Sequence, residues 1–185
     1  MTGVQTCALP ISLDGRIATA RGDSRWITGP RARRWVHRLR DRVDAILVGV
    51  GTVLADDPAL TVRLHPGGRD PLRIVLDSQA RTPPAARVVQ VARQSSAPTW
   101  VAVTPWAPRE RVARLERAGV RVLRLPAGPD GRVSLPHLLD ELARSGILHL
   151  LVEGGATVHA AFFTARLADR VIAWIAPKLI GGGRA

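Results

Sequence analysis

Cysteine occurs once, at Cys7, and tyrosine not at all. A single cysteine excludes a disulfide framework and a cysteine-rich metal site, and it fits a reducing, cytoplasmic setting. No apolar run approaches the length needed to cross a bilayer, so no membrane partner is expected. The first residues have neither a basic stretch nor a long apolar core and do not make a secretory signal. His37, His65, His137, His149 and His159 are scattered, with no close helical pair of the kind that binds zinc, and no metal site is expected. A Gly-x-Ser-x-Gly elbow and a Walker loop are both missing, which weakens hydrolase and nucleotide-kinase readings. Acidic residues are scarce, at 15 against 27 basic, and the net charge is +12. That balance raises nucleic acid as a partner. The excess is nearly all arginine, however, with Lys178 the only lysine, and it is spread along the chain. The few Phe and Trp residues are not interleaved with it to form a stacking platform for bases, so no nucleic acid partner is expected.

What is present is an ordinary globular composition. With 185 residues, 46% hydrophobic and 23% charged, the chain is long enough for one domain with a real core. Ile147–Val152 is a short apolar run that reads as a strand covered on both faces. Beyond it Val158, Ala161 and Phe162 recur at helical spacing, so a helix is expected to start at Gly155 or Ala156, with Glu153 and Gly154 in the turn. Paired glycines admit a ligand close to the backbone, and a helix N-terminus carries partial positive charge, which together make an anion seat. The residues alone leave open whether this is a phosphate site or only a tight turn. Glu153 disfavours phosphate beside it and suits a neutral, hydrogen-bonding group.

Further strands are expected at Val43–Gly49, Pro71–Asp77, Thr99–Thr104, Val120–Leu125 and Arg170–Ala176, with the end of a first strand near Ile11. Helical patterns fill Pro30–Asp41, capped by Thr28, then Pro108–Ala118 and Pro136–Ser145, and residues 63–70 and 78–98 read as surface loops. Strands alternating with helices imply an α/β fold with a mostly parallel central sheet flanked by helices. Gly49-Val-Gly51, with Asp77 as ribose acid, invites a dinucleotide fingerprint. The third glycine is missing and Pro58 interrupts the segment, so that reading is set aside.

Loop clusters lie at strand ends: Ser24 with Trp26, Arg40, Thr52 with Asp56 and Asp57, Arg63, Asp77 with Ser78, and the Glu153-Gly-Gly turn. Open α/β sheets bind ligands at the carboxyl ends of strands, where these clusters can converge. Each also has a plain reading: Arg40 as a helix-end cation, Asp56-Asp57-Pro58 as a turn, Trp26 as core.

Ser12-Leu-Asp-Gly-Arg16, Gly22-Asp-Ser-Arg-Trp-Ile-Thr-Gly29, Asp44-Ala-Ile-Leu-Val-Gly49, Thr52-Val-Leu-Ala-Asp-Asp-Pro-Ala-Leu-Thr-Val-Arg63, Leu76-Asp-Ser78 and Val152-Glu-Gly-Gly155 resemble, in order, the reductase domain of the bacterial riboflavin-biosynthesis deaminase/reductase. The resemblance implies a dihydrofolate-reductase-like fold and reduction of 5-amino-6-(5-phosphoribosylamino)uracil, a small-molecule phosphoribosylaminopyrimidine, by NADPH. It assigns Ser24, Arg40, Leu60, Arg63 and Glu153 to the substrate, the two arginines suiting its phosphate. It assigns Trp26, Thr52, Asp56, Ser78 and Gly155, Ala156, Thr157, Val158, His159, Ala160 and Ala161 to the cofactor, with Asp56 also a catalytic candidate for proton handling. It further implies a homodimer in the intact protein and a fusion upstream to a zinc deaminase domain, whose His-x-Glu and Pro-Cys-x-x-Cys motifs are absent from this sequence. Two departures stand out. Residues 1–11 look like translated sequencing-adapter sequence and are expected to be a non-native leader, with Ala8 and Pro10 where the family carries a lysine and a small residue. The reductase domain is then expected over residues 12–185 with its C-terminus incomplete. Other readings are a dihydrofolate-reductase-like NADPH oxidoreductase with another substrate, or a basic nucleic-acid-binding module.

Overall fold

The computed structural model of the protein describes residues 3–19, 26–63 and 68–181. In chain order it forms β1 (Val4–Ser12), α1 (Pro30–Arg40), β2 (Ala45–Gly49), α2 (Val50–Asp56), β3 (Leu72–Leu76), α3 (Arg87–Gln90), β4 (Thr99–Val103), α4 (Arg109–Arg117), β5 (Arg121–Arg124), α5 (Leu135–Arg144), β6 (His149–Gly154), α6 (Ala156–Thr164) and β7 (Arg170–Ala176). Among the described residues seven strands make one sheet in the order β5-β4-β3-β2-β6-β1-β7, and every pairing is parallel. Such a sheet must be covered on both faces.

The alternation of side chains along each strand divides the core accordingly. Leu47 and Val152 face one side, where Leu138 and Leu142 of α5 and Val158 and Phe162 of α6 pack. Ile46, Val48 and Val101 face the other, against Val53 of α2, Val88 and Val89 of α3, and Val112 and Leu115 of α4. Leu39 of α1 closes the same side over Ala8, Val43 and Leu151. Cys7 is wholly buried in the first layer, and burial pushes its thiol up to about 11, so it acts as a small apolar residue.

Several expectations change. Thr28 does not cap α1; Gly29 is the N-cap and makes no side-chain bond, with Pro30 pre-set for the first turn. The segment 78–98 is not loop throughout, because Val88 and Val89 are fully buried and nucleate α3 and the 3₁₀ turn Val91–Arg93. Glu153 and Gly154 do not form the turn but end β6, since β2 continues beside them. The segment set apart as a leader supplies most of β1, which lies between β6 and β7. Pro10 falls beyond Cys7–Val152, the last rung that β1 shares with β6, so its missing N–H costs no bond to β6.

Arg73 is fully buried at the start of β3 and donates to Thr99 Oγ1 at 3.0 Å, Asp70 Oδ2 at 3.3 Å and the Ala97 carbonyl. Burial lowers its pKa, and Asp70 pulls it back.

Phe162 carries the α6 contact and is 0% exposed. Phe162→Ala is expected to destabilise the fold by about 3–5 kcal/mol in urea unfolding, and a loss below about 1 kcal/mol would refute this packing.

Candidate active site

The carboxyl ends of β2 and β6 meet at a point where the chain parts. β2 leads through α2 to β3 on one side, while β6 leads through α6, past β1, to β7 on the other. α2 and α6 therefore cover opposite faces, which makes this a switch point of the kind where open α/β sheets bind ligands in a crevice.

Glycine makes this junction possible. A Cβ on Gly49 would meet Val158 Cγ2 at 2.8 Å, and one on Gly154 would meet Thr52 Oγ1 at 2.9 Å. Gly155, the N-cap of α6, has a φ of 91°, which L side chains rarely adopt. Gly155 thus makes the tight turn, while Gly154 ends β6 where Thr52 leaves no room for a side chain. The turn also leaves α6 without a side-chain cap and with Ala156 and Thr157 exposed, so the donors of its first turn suit an anionic group.

On the other side of the crevice lies a buried ion pair. In the register between β2 and β6, Leu47 faces Val152 and Val48 faces Gly154, so Glu153 is the extra residue of a bulge that re-aims its side chain. Its carboxylate accepts from Arg40 Nε at 2.8 Å and Nη2 at 2.5 Å, a bidentate pair whose side chains are 12% and 11% exposed. Arg40 Nη1 donates to the Thr61 carbonyl at 3.0 Å. Burial works against the Arg40 charge, but Glu153 and, farther off, Asp70 outweigh it, so its pKa lies above the usual arginine value.

Thr61 follows Leu60, which is buried with a φ of 54°, a left-handed conformation costly for leucine. Arg63 N–H then donates to His37 Nδ1 at 3.3 Å. Burial first, then Arg40 and Arg63, lower the His37 pKa, which keeps that nitrogen an acceptor.

The structure thus brings Arg40, Leu60, Arg63 and Glu153 together on one side, and Thr52, Gly155 and Val158 on the other. Asp56 ends α2 and is partly buried. Ala156, Thr157 and Ala160 are exposed on α6, Ala161 packs partly against the core, and His159 is 5% exposed with no hydrogen bond to Nδ1. Ser78 Oγ accepts from Val133 N at 3.2 Å, away from the diglycine turn in sequence but at the end of neighbouring β3. Trp26 is not core: it is 62% exposed, with the Arg33 guanidinium 4.3 Å from its ring centroid. Ser24 lies outside the described residues. The sequence reading missed the Thr61 carbonyl and His37; the spacing of His37 and Arg40 along one face of α1 is the signal that could have found the latter. Asp77, set aside as a ribose acid, is fully buried, and its Oδ2 accepts from Thr82 N at 2.6 Å and Thr82 Oγ1 at 2.7 Å.

Compared with known families, residues 5–185 match the RibD C-terminal domain. The chain belongs to this family. A 2,5-diamino-6-ribosylamino-4(3H)-pyrimidinone 5′-phosphate reductase of Methanothermobacter thermautotrophicus is 46% identical over 174 residues, 93% of this chain and 76% of that protein. The riboflavin biosynthesis protein RibD of Escherichia coli is 43% identical over 94% of this chain and 48% of its own length. Among solved structures, a deaminase/5-amino-6-(5-phosphoribosylamino)uracil reductase of Thermotoga maritima superposes with TM-score 0.78 at 32% identity, covering 98% of this chain and 47% of that one. A riboflavin biosynthesis reductase of Saccharomyces cerevisiae gives TM-score 0.76 at 26% identity over 97% of this chain and 76% of that one. The chain spans about half the length of most RibD relatives. The fold is the dihydrofolate-reductase-like α/β fold of the RibD reductase domains.

Two measurements check this site. Arg40→Met and Glu153→Gln are each expected to cost about 3–5 kcal/mol, with the double variant less destabilised than the two together; strict additivity would show that the pair does not couple. Burial also lowers the His159 pKa below its ordinary 6.5, with Glu153 opposing. Unfolding must therefore take up protons below that value, so stability is full above about pH 6.5 and falls as pH drops beneath it. His159→Gln is expected to flatten the decline of Tm between about pH 6.5 and pH 5; an unchanged slope would place the titration elsewhere.

Proposed function

We propose that this chain is an NADPH-dependent reductase of riboflavin biosynthesis that converts the ribosyl group of a phosphoribosylaminopyrimidine to ribityl. The observation that carries this reading is the junction itself: an uncapped helix N-terminus at a diglycine turn on one side of β6 and a bulged, arginine-bound carboxylate on the other. The first suits a dinucleotide pyrophosphate, and the second a hydrogen-bonding heterocycle. Family membership and the reductases among the relatives support it.

The cofactor supplies a hydride to C1′ of the ribosyl group. The ring oxygen released from C1′ then needs a proton, for which Asp56 is the candidate donor. Thr52 and the N-terminal half of α6 with its cap, Gly155 to Ala161, would hold the cofactor, with Trp26 and Ser78 at its margins. Glu153 keeps acceptor capacity beyond its two bonds to Arg40 and would meet the pyrimidine, while Ser24, the Leu60 backbone, Arg40 and Arg63 would hold the sugar phosphate. We read the domain as residues 12–185, with 1–11 a non-native stretch standing in for the family's first strand, a homodimer as the intact assembly, and the cytoplasm as its place. The relatives name both an aminouracil and a diaminopyrimidinone substrate, which share the phosphoribosylamino group on which the reaction acts.

The test is NADPH oxidation followed with either pyrimidine. Turnover with at least one, and none with dihydrofolate, is expected. Oxidation with dihydrofolate but neither pyrimidine would move the chain to another branch of the fold. NADPH is also expected to quench Trp26 fluorescence at much lower concentration than NADH, and binding to duplex DNA that weakens steeply with salt would revive the nucleic-acid reading.

A further inference from the structure

A second cleft opens at the opposite end of the sheet. It has a volume of about 460 Å³ and is lined by Asp44 ahead of β2, Arg69, Asp70 and Leu72 at the entry to β3, Trp100 in β4, Arg121 at the head of β5 and Ile147 ahead of β6. Because every pairing is parallel, these are all amino ends, roughly 20 Å, the length of β6, from the diglycine turn. The size is that of a small-molecule site.

The floor of this cleft is apolar: Leu72 and Trp100 are buried members of the core, and Ile147 packs against it. The Arg121 guanidinium lies 4.4 Å from the Trp100 ring centroid, which holds a cation beside the apolar floor. Its Nη2 reaches Glu141 only at 3.4 Å. Arg69 Nη2 donates to the Val43 carbonyl at 3.1 Å and stands 3.7 Å from Asp44 Oδ1. Among the described residues neither guanidinium has another acceptor, so both keep N–H groups to give.

The carboxylates of the cleft are committed to the fold. Asp44 Oδ2 accepts from the Leu148 and His149 N–H groups at 3.0 and 2.8 Å. Asp70 accepts from Val62 N on Oδ1 at 2.8 Å, and from Ser95 Oγ at 2.9 Å and Arg73 Nη1 at 3.3 Å on Oδ2. Donors thus exceed free acceptors above an apolar floor, which suits an anionic head on a flat apolar body. The balance of charge limits that head. Through their ion pairs, Arg69, Arg73, Arg121 and Arg144 meet Asp44, Asp70 and Glu141, four cations against three carboxylates. An excess of one positive charge fits a monoanion. A phosphomonoester, with a charge of about −1.5 to −2 near neutral pH, meets more repulsion from Asp44 and Asp70.

We propose that this cleft is a second ligand site, taking a small aromatic monocarboxylate whose ring lies over Leu72, Trp100 and Ile147 and whose carboxylate is held by Arg121, with Arg69 adding to the field. It is separate from the crevice and does not depend on which substrate the crevice takes.

The experiment titrates the full chain by calorimetry with naphthoate, its neutral carboxamide and naphthyl phosphate. Naphthoate is expected to bind about tenfold more tightly than either. Arg121→Gln should remove most of that advantage over the amide and Arg69→Gln a smaller part, while Arg109→Gln, at the exposed start of α4 beyond the carboxyl end of β4, should leave it unchanged. In NMR spectra the Trp100 indole N–H should shift with naphthoate and the Trp26 indole should not. No binding of naphthoate, equal binding of the amide, tighter binding of the phosphate, or an equal loss in Arg109→Gln would each overturn the site. A shift confined to Trp26, or displacement of naphthoate by NADPH, would overturn it too by placing the probe in the crevice. Matching far-UV melts of the variants exclude unfolding as the cause.

Discussion

A carboxylate that ends a buried strand cannot stay charged without a partner, and Arg40 supplies one to Glu153 through two parallel bonds. Much else follows from that requirement. The bulge in β6 exists where Glu153 leaves the register, α1 must end where Arg40 can reach it, and the loop after α2 must come close enough for Thr61 to take the remaining bond. The strained backbone at Leu60 belongs to the same arrangement, since the buried Leu60 side chain and the Thr61 carbonyl fix that loop from both sides. One pair thus joins β6, α1 and the α2–β3 loop at the edge of the crevice.

Opposite it, steric exclusion plays the organising part. Val158 fills the space above Gly49, and Thr52 fills the space above Gly154, so the first turns of α2 and α6 lock against each other across the sheet. A polar contact on one face and close backbone approach on the other hold the two walls of the crevice apart by different means. The polar wall depends on protonation states, whereas the glycine wall does not.

Much of the architecture was legible in the sequence because it rests on local periodicity. The strand at Arg170–Ala176 and the helices near residues 30–40, 109–117 and 135–144 follow from apolar spacing that each segment carries by itself. The placing of β1 beside β6 and β7, the bulge and the pairing of Arg40 with Glu153 do not, because they join residues more than a hundred positions apart. The dihydrofolate-reductase-like fold and the reductase family were reached through motif order, which no single motif carried. α3 escaped notice because Pro, Ser and Arg surround it, and only burial reveals why Val88 and Val89 are apolar. Arg73 was equally silent, since nothing local tells a surface arginine from one enclosed by Thr99 and Asp70.

The place of β1 has a consequence for how the protein comes into being. Val4–Ser12 is made before every other strand of its sheet, yet its neighbours are β6, completed at Gly154, and β7, completed at Ala176. The half of the sheet from β2 to β5 can assemble during translation, while the first strand waits with its hydrogen-bonding groups and apolar face uncovered. Final closure is then an insertion between two late strands, a long-range pairing of the kind that leaves strand edges uncovered until the end.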